Sequence, residues 1–199
     1  MITDADRKSI VKEIRDWSKY ALEVSSPDFN GLPPCPYAKA AWQENKVDVL
    51  FKTDSENYIA LYVALTEWDD SKELVIIADT EFVEDPDEFH YFVDSLNEVI
   101  SNEAFEDKDF WVMGFHPEDE SNALIDDGTF EGETETQYAM FFVQRLSKLE
   151  RAAETLRPLG YYEKYFKEYD VVKMYELRTN FYKQLMFGET NDNFRNNDI

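Results

Sequence analysis

The sequence predicts an α/β fold: a small, mainly parallel sheet of at least three strands, covered by N- and C-terminal helices. Apolar runs of strand length alternate with runs of helical period, and the links between them are short. Strand–helix–strand units of this kind form right-handed crossovers, which leave consecutive strands parallel. Hydrophobic residues make up 43% of the 199, enough for a substantial core. We expect one domain over 1–190 and a frayed polar tail over 191–199.

The first part of the chain predicts two helices, a strand and a third helix. Apolar residues spaced four, three, four and three apart along 10–24 predict an amphipathic helix over 5–24. A turn-rich stretch then leads to a short helix over 38–45 and a strand over 47–51. Asp54 or Ser55 can cap the next helix, which runs to about Glu67.

The middle of the chain predicts two more strands with a helix between them. The continuous apolar run 74–78 is typical of a strand covered on both faces. Asp85 and Pro86 provide a cap and a first helical residue, so a helix begins there. The remaining predicted elements are a strand over 110–115, an acidic loop over 117–135, and helices over 136–156 and 161–187.

The formal net charge is −23, and almost all of it belongs to residues 73–144, which hold 21 acids and a single base, Lys108. Such a surface repels nucleic-acid phosphates and attracts cations or basic proteins. The charge therefore argues against direct nucleic-acid binding and favours a basic protein partner. The alternative is that the acidity only keeps the protein soluble.

Cellular location is indicated by three features. No apolar run approaches the roughly 20 residues of a membrane helix. The N-terminus does not resemble a secretory signal, and one cysteine cannot form an internal disulfide. We therefore expect a cytoplasmic protein without a membrane contact.

The single cysteine, Cys35, is the best chemical indication in the sequence. It lies among three prolines, directly before the predicted short helix, where the helix dipole favours a thiolate. That helix runs antiparallel to the first strand, so its start is expected at the carboxyl edge of the sheet. Lys52 and Thr53 follow the first strand at that edge, Asp79 follows the second and His116 the third. Ligand sites of α/β sheets form at this edge.

Cys35 and His116 are therefore a candidate nucleophile and base, with Asp79 orienting the imidazole. The corresponding hypothesis is a small thiol/histidine-dependent enzyme that acts on a cationic or metal-associated small molecule. The alternatives are a non-catalytic acidic regulator that mimics nucleic-acid charge, and a metal protein using His116, Cys35 and a carboxylate. Cys35 as an inert buried residue is the simpler interpretation. The sequence contains no phosphate-binding glycine motif and no dinucleotide fingerprint, so a cofactor cannot be named from it.

Other features favour ordinary structural roles. His90 lies on the polar flank of its helix and is expected at the surface. The acidic loop lacks the spacing of a calcium-binding hand. The aromatic stripe on the last helix is typical of packing, and a homodimer face is the functional alternative.

Three short motifs occur in order: Cys35-Pro36-Tyr37-Ala38-Lys39, Phe115-His116-Pro117, and Tyr138-Ala139-Met140 followed by Leu149-Glu150-Arg151-Ala152. Over roughly residues 30–155 the chain thereby resembles an uncharacterised bacterial family of unknown function. Members of that family carry an Asn-Leu-Cys-Pro-Phe-Ala-Lys-like opening, a Phe-His-Pro after a strand, and a Tyr-Pro-Met before a Glu-Arg-Ala helix.

The resemblance implies that Cys35, Lys39, His116 and Arg151 are family positions, and it implies no activity. Lys39 and Arg151, together with Thr53 at the sheet edge, are the candidate substrate-binding residues. The chain departs from the family in Pro33-Pro34, in its acidic loop and in its long helical C-terminus.

Overall fold

The computed structural model describes residues 2–52, 58–102, 105–120, 122, 129–133, 137–163 and 172–188. The helices are α1 (Asp4–Trp17), α2 (Ala38–Gln43), α3 (Ile59–Thr66), α4 (Pro86–Ser101), α5 (Leu146–Leu156) and α6 (Val172–Phe187). The strands are β1 (Val47–Lys52), β2 (Leu74–Asp79), β3 (Trp111–Phe115) and β4 (Ala139–Gln144).

The four strands form one mixed sheet in the order β1-β2-β4-β3. β1 and β2 are parallel, and Lys52 lies beside Asp79 at their carboxyl ends. β4 is antiparallel to both of its neighbours, β2 and β3. β1, β2 and β3 therefore run in one direction, and their carboxyl ends meet at one edge of the sheet.

The α/β class is confirmed, whereas the mainly parallel sheet is wrong. The residues of β4 were expected to form the first part of a helix over 136–156. They form a strand between β2 and β3, where Ala139, Met140 and Phe141 are buried. Arg145 has extended backbone angles and separates this strand from α5. An apolar run of six residues is compatible with a buried strand and with a buried helix, so periodicity alone does not distinguish them.

Helices cover both faces of the sheet. Alternating residues of β2 point to opposite sides: Val75 and Ile77 pack with α3 and α4, and Ile76 and Ala78 pack with α1. On the α1 side, α6 reaches β3, where the Phe181 ring lies against Trp111.

Two helix starts follow directly from local sequence. Thr3 and Asp6 form a reciprocal capping box at α1. The Asp85 side chain accepts the Glu88 N–H at the start of α4, and Pro86 is the first helical residue, as predicted. The predicted first helix is interrupted at Trp17, where a π-helical turn, Ser18–Leu22, continues the chain.

Asn97 of α4 occupies the free edge of β3. Its side chain donates to the Val112 carbonyl at 2.8 Å and accepts from the Val112 N–H at 2.9 Å. Both residues are buried. The amide therefore takes the hydrogen-bonding place of a neighbouring strand at this point.

Several predicted features lie outside the described residues. They are the cap at Asp54 or Ser55, part of the acidic loop, residues 164–171 of the predicted last helix, and the tail 191–199. No helix in the described ranges has the length and apolar character needed to cross a membrane.

Candidate functional site

A buried ion pair lies at the carboxyl ends of β1 and β2. The Lys52 ammonium is 3.1 Å from one Asp79 carboxylate oxygen and 3.3 Å from the other. Lys52 is only 3% exposed and Asp79 only 1%. Strand alternation directs both side chains to the α3–α4 side, because Leu50 and Ile77 two positions earlier pack there. Burial raises the pKa of Asp79, although the Glu81 N–H and Lys52 both donate to its carboxylate.

Tyr58 and Glu84 complete the surroundings of this pair. The ammonium lies 4.8 Å from the centre of the Tyr58 ring, and the Tyr58 hydroxyl donates to Glu84 Oε1 at 3.3 Å. Burial and the nearby Glu84 carboxylate raise the pKa of Tyr58 to about 12. Burial by itself disfavours the Glu84 carboxylate, but hydrogen bonds from the Val83 N–H and from Tyr58 hold the pKa of Glu84 below its ordinary value.

His116 lies on the same side of the sheet and is only 1% exposed. Its Nε2 is 3.1 Å from the Glu84 carbonyl, and its Nδ1 accepts the Glu118 N–H at 3.2 Å. A carbonyl can only accept and an N–H can only donate, so in these contacts Nε2 is the donor and Nδ1 is the acceptor. The imidazole also packs against the rings of Phe82 and Phe89. Both ring nitrogens are therefore engaged in hydrogen bonds to the backbone.

Cys35 lies beyond the end of α1. Its N–H donates to the Leu22 carbonyl at 3.0 Å. The sulfur accepts the N–H groups of Tyr37 and Ala38, as expected for a thiol that precedes a helix. Desolvation outweighs these two hydrogen bonds and raises the pKa of Cys35. The raised pKa favours the protonated thiol, whereas the sequence indicated that the helix dipole would favour the thiolate.

The predicted catalytic residues divide between the two sides of the sheet. Asp79 and His116 adjoin Glu84 on the α3–α4 side, whereas Cys35 belongs to the layer that contains α1. The structure thus brings Asp79 and His116 to one edge and does not bring Cys35 to His116. Among the candidate substrate-binding residues, Lys39 and Arg151 are exposed, and Thr53 lies outside the described residues.

Lys52 was expected at this sheet edge, but its pairing with Asp79 and the roles of Tyr58 and Glu84 were not predicted. One signal was present in the sequence: Lys52 ends an apolar strand at a position that alternation directs inward. A buried ammonium requires a partner, and the parallel register supplies Asp79. Nothing in the sequence indicated that the Tyr58 ring covers the ammonium.

A second candidate site is an exposed acidic and aromatic surface on the outer side of α3 and α4, here named the α3–α4 surface. Tyr62 of α3 is 61% exposed and Tyr91 of α4 is 76% exposed. The acidic side chains around them are also exposed. The members of the surface are Ile59, Tyr62, Glu67, Asp87, Glu88, Tyr91, Asp94 and Glu98.

Metal binding finds no support in the described ranges, which contain no group of three or more His, Cys, Asp or Glu side chains placed to hold an ion. His90, expected at the surface, is partly exposed and bonds to Asp119 at 2.5 Å. In comparisons with known proteins, no family model matches the sequence, and no curated protein or solved structure gives a significant match.

Proposed function

We propose that this protein is a non-catalytic acidic regulator that binds a basic partner protein through the α3–α4 surface. The observation that carries the proposal is the exposure of Tyr62 and Tyr91 on two helices, α3 and α4, that contain no lysine or arginine. A few residues carry most of the binding energy at protein interfaces, and tyrosine is enriched among them, while surrounding charges select the partner. The partner chemistry that fits is a cationic segment with apolar side chains, as in an amphipathic basic helix.

The arrangement of charge on α4 is unfavourable for an isolated helix. Asp94 and Glu98 lie four residues apart on its exposed face, where like charges destabilise a helix by about 0.2–0.5 kcal/mol per pair. Asp87 and Tyr91 lie on the same face. A cationic partner would convert this repulsion into attraction, which supports a role in binding.

The thiol-enzyme hypothesis has less support. It needs an activated sulfur close to a free imidazole. The Cys35 pKa is raised by desolvation, and both nitrogens of His116 are hydrogen-bonded within the fold. The Lys52–Asp79 pair likewise has its partners inside the protein, so we assign it a structural role at the sheet edge.

Titration with a defined peptide tests the proposal. The probe is a synthetic amphipathic helix of about 20 residues, with lysines on one face and leucines on the other. A lysine-rich peptide of equal charge without leucines reports the contribution of charge alone. We expect the amphipathic peptide to bind more tightly than the hydrophilic one. Binding should also weaken as salt rises from about 0.05 to 0.5 M.

Two charge-matched variants locate the binding surface. Asp87→Asn, Asp94→Asn and Glu98→Gln together should weaken binding roughly tenfold, since each exposed ion pair contributes up to about 1 kcal/mol. Glu44→Gln, Glu154→Gln and Glu163→Gln remove the same charge from exposed positions elsewhere. Equal weakening by both variants would show that only net charge acts, and the proposed surface would then be wrong.

The aromatic contribution has its own test. Tyr91→Ser removes a ring that is 76% exposed, so the fold should be retained. We expect at least a fivefold loss of peptide affinity, which corresponds to a side chain worth about 1 kcal/mol or more. An unchanged affinity would show that the Tyr91 ring does not contribute to binding and that only the charges do.

A further inference from the structure

A cavity of about 430 Å³ lies between the end of α5 and the helix α6, away from the α3–α4 surface. Three cationic side chains line it: Arg157, Arg178 and Lys183. Among the described residues of the lining, Glu176 is the one acidic residue. The Arg178 guanidinium is paired with Glu150, so the positive charge available to a ligand is that of Arg157 and Lys183.

The inner wall of the cavity is ordered by a buried arginine. Arg178 is only 4% exposed, and its Nε is 2.5 Å from Glu150 Oε1. Its guanidinium lies 4.5 Å from the centre of the Tyr175 ring. These contacts hold the plane of the guanidinium fixed within the wall of the cavity.

Two tyrosines form the apolar part of the wall. The rings of Tyr162 and Tyr175 meet edge to face, with centroids 5.3 Å apart. Tyr162 is 8% exposed, and its hydroxyl is hydrogen-bonded to Arg178. The two rings therefore give the cavity an aromatic wall that a planar group of a ligand can contact.

We propose that this cavity binds a small organic phosphate that carries a planar ring. Guanidinium and ammonium groups are the usual ligands of phosphate, and Arg157 and Lys183 stand exposed at the mouth of the cavity. A volume of about 430 Å³ exceeds the space of one inorganic ion and lies in the range of small-molecule sites. The tyrosine rings provide the surface for the remainder of the ligand.

Three probes distinguish the parts of the proposed ligand: phenyl phosphate, inorganic phosphate and phenol. Binding to the full-length protein is followed by calorimetry and by chemical shifts of the tyrosine rings. We expect saturable binding of phenyl phosphate, at least tenfold tighter than that of inorganic phosphate or of phenol. No saturable binding of phenyl phosphate would overturn the proposal. Equal affinity for inorganic phosphate would overturn the ring part of it.

Substitutions at the mouth of the cavity locate the site without disturbing the core. Arg157→Gln combined with Lys183→Gln should weaken phenyl phosphate binding about tenfold, because two phosphate contacts are lost. Lys173→Gln with Lys8→Gln removes the same charge from exposed positions outside the cavity lining and should leave affinity within about twofold. Equal effects of the two double variants would place the binding elsewhere and overturn the assignment.

Discussion

Asn97 gives the sharpest test of the fold, because one side chain supplies both hydrogen bonds at the free edge of β3. In Asn97→Ala the Val112 N–H and carbonyl lose partners at 2.9 and 2.8 Å. Val112 is only 1% exposed, so water cannot readily replace them. Each buried group left without a partner costs about 1–3 kcal/mol, so for the two groups we expect a loss of about 2–6 kcal/mol. That is a large fraction of the 5–15 kcal/mol typical of a folded protein.

Urea unfolding followed by tryptophan fluorescence measures this loss. With a slope of about 2 kcal/mol/M, a loss of 3 kcal/mol lowers the midpoint by about 1.5 M. The matched control is Asn102→Ala at the exposed end of the same helix, which should change stability by less than about 0.5 kcal/mol. Equal midpoints for the two variants would refute the edge-capping argument.

A pH series on Asn97→Asp tests the same argument from a second direction. The introduced carboxylate can still accept the Val112 N–H, but it faces the Val112 carbonyl oxygen without a proton to donate. Its pKa in the folded state should lie above the unfolded value of about 3.9. The folded state then binds the proton more tightly, so the variant should regain stability relative to wild type as pH falls from 7. A constant difference between variant and wild type from pH 7 to 4 would contradict the assigned contacts.

Three further changes test other parts of the structure. Lys52→Met leaves Asp79 buried without its cation, so it should lower the free energy of unfolding by about 3–5 kcal/mol in thermal or urea unfolding. The double variant Lys52→Met, Asp79→Leu removes both charges and should cost less than the single change. A larger loss in the double variant would contradict the pairing. Gly114→Ala should lower the free energy of unfolding by about 1–3 kcal/mol, because the added Cβ would lie 2.6 Å from the Phe89 ring. An unchanged free energy of unfolding would show that this ring moves aside freely. Desolvation raises the pKa of Cys35, so iodoacetamide should label it much more slowly at pH 8.5 than in the urea-unfolded chain. The thiol ionises at lower pH in the unfolded chain than in the folded protein, so the free energy of unfolding should fall as pH rises above about 8.5. Cys35→Ala should lack this decrease. Rapid labelling of the folded protein would contradict the raised pKa of Cys35.

Local sequence was sufficient wherever the stabilising groups are close along the chain. The start of α4 follows from Asp85 and Pro86, and the central position of β2 follows from its unbroken apolar run. By contrast, the start of α5 depends on a distant residue. Asp109 accepts the N–H and the hydroxyl of Ser147, both at 2.6 Å, across 38 positions in the chain. No local pattern indicates such a cap.

The candidate site was predicted in part. The position of His116 after a strand placed it correctly at the carboxyl edge with Asp79, because β3 has the direction of β2 even though β4 lies between them. The expected approach of Cys35 depended on the side of the sheet that its segment would occupy. The sequence does not specify that side, and the structure places Cys35 in the α1 layer.

The sequence by itself determined the α/β class, the amphipathic helices and the concentration of acid between residues 73 and 144. These depend on spacing and composition, which are local properties of the chain. Only the tertiary structure decided that 139–144 is a strand, that the sheet is mixed, and that Lys52 and Asp79 form a buried pair while Cys35 lies apart from His116. Each of these depends on which surfaces pack together, because an apolar run can be buried as a helix or as a strand. A buried charge is tolerated only where the fold brings its partner within reach.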